Sequence, residues 1–224
     1  MFRIYLFILI FPTILLPCES FTTKILPPID HSVKDPSFSK FKKEFLNILK
    51  QKDVKRLDQV VDPNIHFSFG ANSGKKAFWL EFELNQNPKK STLWQLLEET
   101  VGLGFFRNEE GQFVAPYFFE TFPSEFDPFT HYLVIGKNVN IREEPRKDSK
   151  VKDNLSYTIV RSEADDMEGN RLEKTSNCNW AKVCLPSGSV GFVCDRFIRS
   201  PLEYRAFFEK KKGNWVLTTF IVGD

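Results

Sequence analysis

Histidine occurs three times in this chain, methionine twice and cysteine four times, and neither sign of charge is in excess. Thirty-one basic residues stand against 29 acidic ones, a formal net charge of +2. That balance leaves no electrostatic footprint for nucleic acid or an anionic surface, and no nucleic-acid partner is expected. There is no Cys-x-x-Cys pair, no zinc-ligand spacing and no glycine-rich phosphate loop, so neither a metal nor a cofactor is expected. A nucleophilic cysteine needs a histidine within hydrogen-bond reach. His31, His66 and His131 lie in other segments than Cys178, Cys184 and Cys194, which sit in strand-like runs. Glu81, Glu83, Glu98 and Glu99 supply carboxylates on helical stretches, but solvated helix faces account for them. No catalytic residue is read, and the chain is expected not to be an enzyme.

Long apolar runs are also missing beyond residue 20. The one run present is at the start, where Arg3 precedes Ile4 to Phe11 and then Ile14-Leu15-Leu16-Pro17. A positive start and a short apolar core, too short to span a bilayer, describe a secretory signal over residues 1–18. Leu15-Leu16-Pro17-Cys18 resembles a loose lipobox, with proline where a small residue is usual. A lipid on Cys18 would be the single membrane attachment; the alternative is ordinary cleavage near Cys18 and release into the periplasm or medium. In either case the remainder is expected to be exported. Residues 19–35, with Ser20, Thr22, Thr23, Pro27 and Pro28, read as a tether.

What the chain does hold in quantity is phenylalanine, 24 residues of it, which points to a core built on aromatic rings. Asp35-Pro36 is a cap followed by a first-turn proline. Phe38, Phe41, Phe45, Ile48 and Leu49 then recur at helical spacing. Asp53 caps a second helix that Asp62-Pro63 ends, and Ile65, Phe67 and Phe69 alternate as a half-buried strand. Further helices are read from Ala77 and from a cap at Ser91, followed by a hairpin around Arg107 to Gly111. Residues 36–130 thus form an α+β domain. Six aromatics between Pro116 and Phe129 are too many for a solvated linker, so this stretch is expected to pack across two domains.

From residue 131 the pattern changes to short strands. Val139 and Ile141 alternate with Asn138, Asn140 and Arg142, and Glu143-Glu144-Pro145 breaks the run. Strands follow at Leu155–Val160, Trp180–Leu185 and Val190–Cys194, the last two joined by Pro186-Ser187-Gly188-Ser189. Asn138 to Pro145 resembles the "LNVRSGPS" opening of bacterial SH3 (SH3b) domains. Trp180-Ala181-Lys182-Val183 is similar to their "WYKV" strand, and Val190-Gly191-Phe192-Val193 to their "TGWVHSSYL" ending. Phe192 stands where tryptophan is usual, and Arg161 to Asn179 is long and polar. The resemblance covers 131–201, implies an all-β SH3-like small barrel, and implies recognition of a peptide or a peptidoglycan stem peptide. Arg142, Tyr157, Trp180, Phe192 and Phe197 are the candidate ligand-binding residues.

The tail, 202–224, places Lys210 to Gly213 between two β-rich runs that carry apolar residues on both faces. Such a hairpin belongs in the middle of a sheet. It resembles the closing "F-x-K-x-x-G-x-W-x-L" hairpin of NTF2-like α+β domains, which implies that it completes the sheet of the first domain. With a turn centred near Ser187-Gly188, Cys194 would face Ala181 and Cys184 would face Gly191, out of register for a bridge. Buried free cysteines are therefore expected, the alternative being one disulfide through Cys178 plus a free thiol. Together these readings describe an exported, non-enzymatic binding or scaffold protein of a bacterial cell envelope, with a cell-wall peptide or envelope protein as partner. The alternatives are a cell-wall hydrolase with an unrecognised site in 36–130, or a small-ligand binder in an NTF2-like cone.

Overall fold

Aromatic spacing and two aspartate caps shape the first third of the chain. A computed structural model describes residues 18–70, 73–162, 172–175 (backbone only) and 178–223. The apolar run of residues 1–17, read as a signal, and most of the polar stretch after Ser162 lie outside the described residues. Helix α1 (Pro36–Gln51) begins where Asp35 Oδ1 accepts the amides of Ser37 and Phe38 at 2.9 and 3.0 Å. Helix α2 (Val54–Val60) begins where Asp53 accepts Arg56 N at 3.1 Å. Strand β1 (Val61–His66) follows at once, then α3 (Lys75–Glu81) and α4 (Leu93–Gly102). The strand expected to reach Phe69 stops at His66, and Phe69 is 61% exposed. Ser91 lies one residue before the α4 cap position, bonding Phe82 O and Leu93 N.

Strands β2 (Phe106–Arg107) and β3 (Phe113–Ala115) form the expected hairpin, and α5 (Tyr117–Thr121) follows. At the other end of the chain, β12 (Arg205–Lys211) and β13 (Asn214–Ile221) pair around Lys212-Gly213. The five-stranded sheet runs β1-β13-β12-β3-β2, so the terminal hairpin occupies its centre. This explains the apolar residues on both of its faces. Against that sheet α1 presents Phe38, whose ring stacks on Phe113 at 3.8 Å and meets Trp215 at 5.0 Å and Phe105 at 5.2 Å. Phe45, Phe78, Trp94 and Phe220 extend the same buried cluster.

Between these two parts of the chain lie β4 (His131–Val134), β5 (Val139–Arg142), β6 (Val151–Leu155), β7 (Ile159–Ser162), β8 (Leu172–Thr175), β9 (Cys178–Cys184), β10 (Val190–Cys194) and β11 (Ile198–Arg199). They form a mostly antiparallel sheet, β11-β4-β7-β9-β10-β5-β6, with β8 on β9. Where the resemblance implies a small barrel, the described residues show no closed one. The strand expected over 155–160 is two strands, because Tyr157 takes a φ of +52° and turns the chain between β6 and β7. One face of the sheet buries Val134, Val139, Ile141, Val160, Val183, Leu185, Val193 and Ile198. Among the described residues no helix is long and apolar enough to cross a membrane.

The segment read as a tether is instead a strap across both sheets. Phe21 N donates to Pro186 O, Ile159 N to Lys24 O, Leu26 N to Tyr157 O, and His31 N to Phe105 O. Leu26 packs with Tyr117, Phe118, Phe126, Leu133 and Ile159, so the aromatics of 117–126 do join the two parts of the chain. Two glycines make room for the strap. A side chain at Gly188 (φ +79°) would come within 2.8 Å of Cys18 O, and one at Gly104 (φ +89°) would collide with Ile29 O.

Candidate functional site

The β9–β10 hairpin sets the geometry of the site. Its register pairs Cys184 with Val190, Lys182 with Phe192, and Trp180 with Cys194. This is one residue away from the register expected from a turn centred at Ser187-Gly188. The loop is three residues closed by Leu185 N to Ser189 O at 2.9 Å, with Gly188 in the left-handed region. The shift places Cys194 on the side of β9 that carries Cys178, while Cys184 meets the start of the strap. Cys178 bridges Cys194 and Cys18 bridges Cys184, each with Cα atoms 5.6 Å apart, and no cysteine is free. The expectation of free thiols is thereby corrected. A bridge to Cys184 and a thioether lipid exclude one another on the single Sγ of Cys18, and the bridge also keeps Cys18 in the chain, one residue inside the 1–18 bound read for the signal.

Directly opposed residues in an antiparallel pair project to one face of the sheet. Phe192 opposes Lys182 on one side and Arg142 on the other, and Arg142 in turn opposes Val151. A lateral row Lys182–Phe192–Arg142–Val151 therefore crosses four strands on the face away from the buried aliphatic cluster. Phe192, Lys182 and Arg142 are half-buried and Val151 is exposed. Arg142 is held in place by Nη1 donating to Ser149 O at 2.5 Å. Trp180 lies on the same face, two residues along β9 from Lys182, but only 5% of it is exposed. Its Nε1–H has no hydrogen-bond partner among the described residues.

Of the five candidates, then, Arg142, Phe192 and Trp180 share one face, the last as support more than as surface. Tyr157 and Phe197 lie elsewhere. Tyr157 is at the seam, lining a cavity of about 280 Å³ with Pro28, Ile29, Leu103, Tyr117 and Ile135. Burial there pushes the Tyr117 hydroxyl well above its ordinary range. Phe197 is 40% exposed in a short 3-10 turn, with the Arg196 guanidinium 5.5 Å from its ring centre. Lys182 was legible as a member of the row, since it alternates with Trp180. Val151 was not, because a bulge between Ile141 and Arg142 sets its pairing.

Cys178, Cys194 and Asp195 bring three potential ligand atoms within 4.8 Å of one another. With both sulfurs in a disulfide, the set offers no thiolate to a metal. Glu81, Glu83, Glu98 and Glu99 are all exposed; Glu81, Glu98 and Glu99 lie on helices as expected, whereas Glu83 (φ +53°) stands in the turn that follows α3. His66 is exposed on β1. Compared with known proteins, the chain matches no family model, no curated protein and no solved structure.

Proposed function

We propose that this chain is an exported, non-enzymatic binding or scaffold protein of a bacterial cell envelope, whose SH3b-like sheet recognises a peptide or the peptide part of peptidoglycan. The observation that carries the reading is the row Lys182–Phe192–Arg142–Val151, an aromatic ring between two cations on the sheet face opposite the buried aliphatic cluster. An extended acidic peptide suits such a row, with its carboxylates against the cations and an apolar group on the ring. Export is supported by the pairing of all four cysteines, since structural disulfides persist in oxidising compartments. The small-ligand alternative has less to rest on, because aromatic side chains fill the face of the five-stranded sheet beneath α1.

Sedimentation with purified peptidoglycan tests the reading. Phe192→Ala should weaken retention roughly thirtyfold if the ring is an anchor of about 2 kcal/mol. Arg142→Gln should weaken it less and remove much of its salt dependence. Retention of Phe192→Ala and wild type in equal amounts would count against the site.

A further inference from the structure

We propose that the flank of Tyr157–Ile159 is an acceptor notch for an extended peptide with an apolar residue followed by proline, and that the chain's own Lys24–Leu26 fills it as an internal stand-in. Beyond Cys184 the chain leaves β9 for the turn, so β9 no longer covers that side of residues 157–159. The strap takes its place in antiparallel sense, with Ile25 opposite Thr158. Ile159 N donates to Lys24 O at 3.0 Å and Leu26 N to Tyr157 O at 2.7 Å. Main-chain bonds of this kind bind any extended segment, and the side-chain pocket supplies the selection.

The pocket is explicit. Leu26 is 8% exposed among Tyr117, Phe118, Phe126, Leu133 and Ile159, while its neighbour Ile25 is 56% exposed. The Tyr117 hydroxyl donates to the Leu26 carbonyl. Pro27 and Pro28 follow, and with no N–H they end the pairing where the pocket ends. Tyr157 holds a left-handed backbone that L-residues rarely adopt, and it is the residue that presents the carbonyl to Leu26. Beside the strap runs a groove of about 390 Å³ lined by Ile25, Asn154, Ser156, Pro186 and Ser187, which gives an incoming chain room to approach. Two sheet bonds and one anchor hold Lys24–Leu26 itself, and Phe21 N to Pro186 O and His31 N to Phe105 O fix the strap on either side of it. The bridge from Cys18 to Cys184 keeps the strap at high local concentration over the notch.

This site rests on the proposed peptide-binding role but uses a different surface from the Phe192 row, so the two can fail separately. The test uses the whole exported chain with Leu26→Asp in a Cys18→Ser, Cys184→Ser background, and a fluorescent peptide of residues 20–30 added in trans. The variant should bind the peptide saturably and at least tenfold more tightly than wild type, whose own strap competes. The same peptide carrying Leu26→Asp should bind neither chain. Absent or equal binding to a folded variant overturns the notch, whatever Phe192→Ala does on peptidoglycan. If Leu26→Asp prevents folding, Leu26→Ala in the same background carries the same comparison with the same two outcomes.

Discussion

Nine phenylalanines and two tryptophans are buried together in the five-stranded unit, whereas the fully buried cluster of the larger sheet is valine, isoleucine and leucine alone. The cysteines divide the opposite way: both disulfides end on the β9–β10 hairpin of the larger sheet, and neither touches the aromatic unit. A small aliphatic core buries too little surface to offset the ordering of some seventy residues comfortably. Cross-links supply the difference by restricting the unfolded chain. The aromatic unit, with large rings meeting edge to face, needs no such help. One region is held by packing alone and the other by packing with covalent closure.

That contrast can be broken at several points. The largest effect is expected from Cys18→Ala with Cys184→Ala. This bridge closes a separation of 166 residues, and the chain-entropy estimate for opening it is about 5 kcal/mol against the fully unfolded chain, less where the five-stranded unit stays folded within the loop. Denaturant unfolding followed by tryptophan fluorescence should show the larger sheet melting first, and hydrogen exchange should rise at Leu26 and Ile159 while the amides of β12 and β13 stay protected. Next comes Phe38→Ala, which empties the centre of the ring cluster and should cost about 3–5 kcal/mol, with the loss confined to the five-stranded unit. Opening Cys178–Cys194, a separation of only 16 residues, should cost about 3 kcal/mol and leave the aromatic unit's melting unchanged.

The smallest effect lies at the seam. His131 packs edge-on to Phe21 at 5.6 Å and tilted against Phe126 at 5.1 Å, opposite Arg161 in the β4–β7 register. Burial, with the neighbouring Arg161 cation, holds its pKa below the ordinary 6.5. A histidine with a depressed folded pKa is protonated first in the unfolded chain, so its share of stability is present above pH 6.5 and is lost as pH falls below it. Melting temperature should therefore decline on mild acidification, and His131→Gln should flatten that decline.

Much of the aromatic unit was legible from local signals. Asp35-Pro36 and the helical spacing from Phe38 to Leu49 gave α1, and apolar residues on both faces of the tail required a central hairpin. The larger sheet was legible as strands but not as a register. A three-residue loop with Gly188 in the left-handed region moved the pairing by one position and put Cys194 opposite Trp180, on the side of β9 that also carries Cys178. The strap was missed because a short extended run that pairs with a distant strand carries no period of its own. Cys18 finds a partner 166 residues away, a relation no local pattern encodes. Arg142, Trp180 and Phe192 were recognisable by type, yet only the register showed that they share a face and that Tyr157 and Phe197 do not.

The most direct test of the covalently closed, strapped module is peptide mapping by mass spectrometry of the protein, kept unreduced. The expected result is a peptide containing Cys18 joined to one containing Cys184, and a second linkage between Cys178 and Cys194. A diacylglyceryl thioether on Cys18, or a free thiol at Cys184, would contradict it.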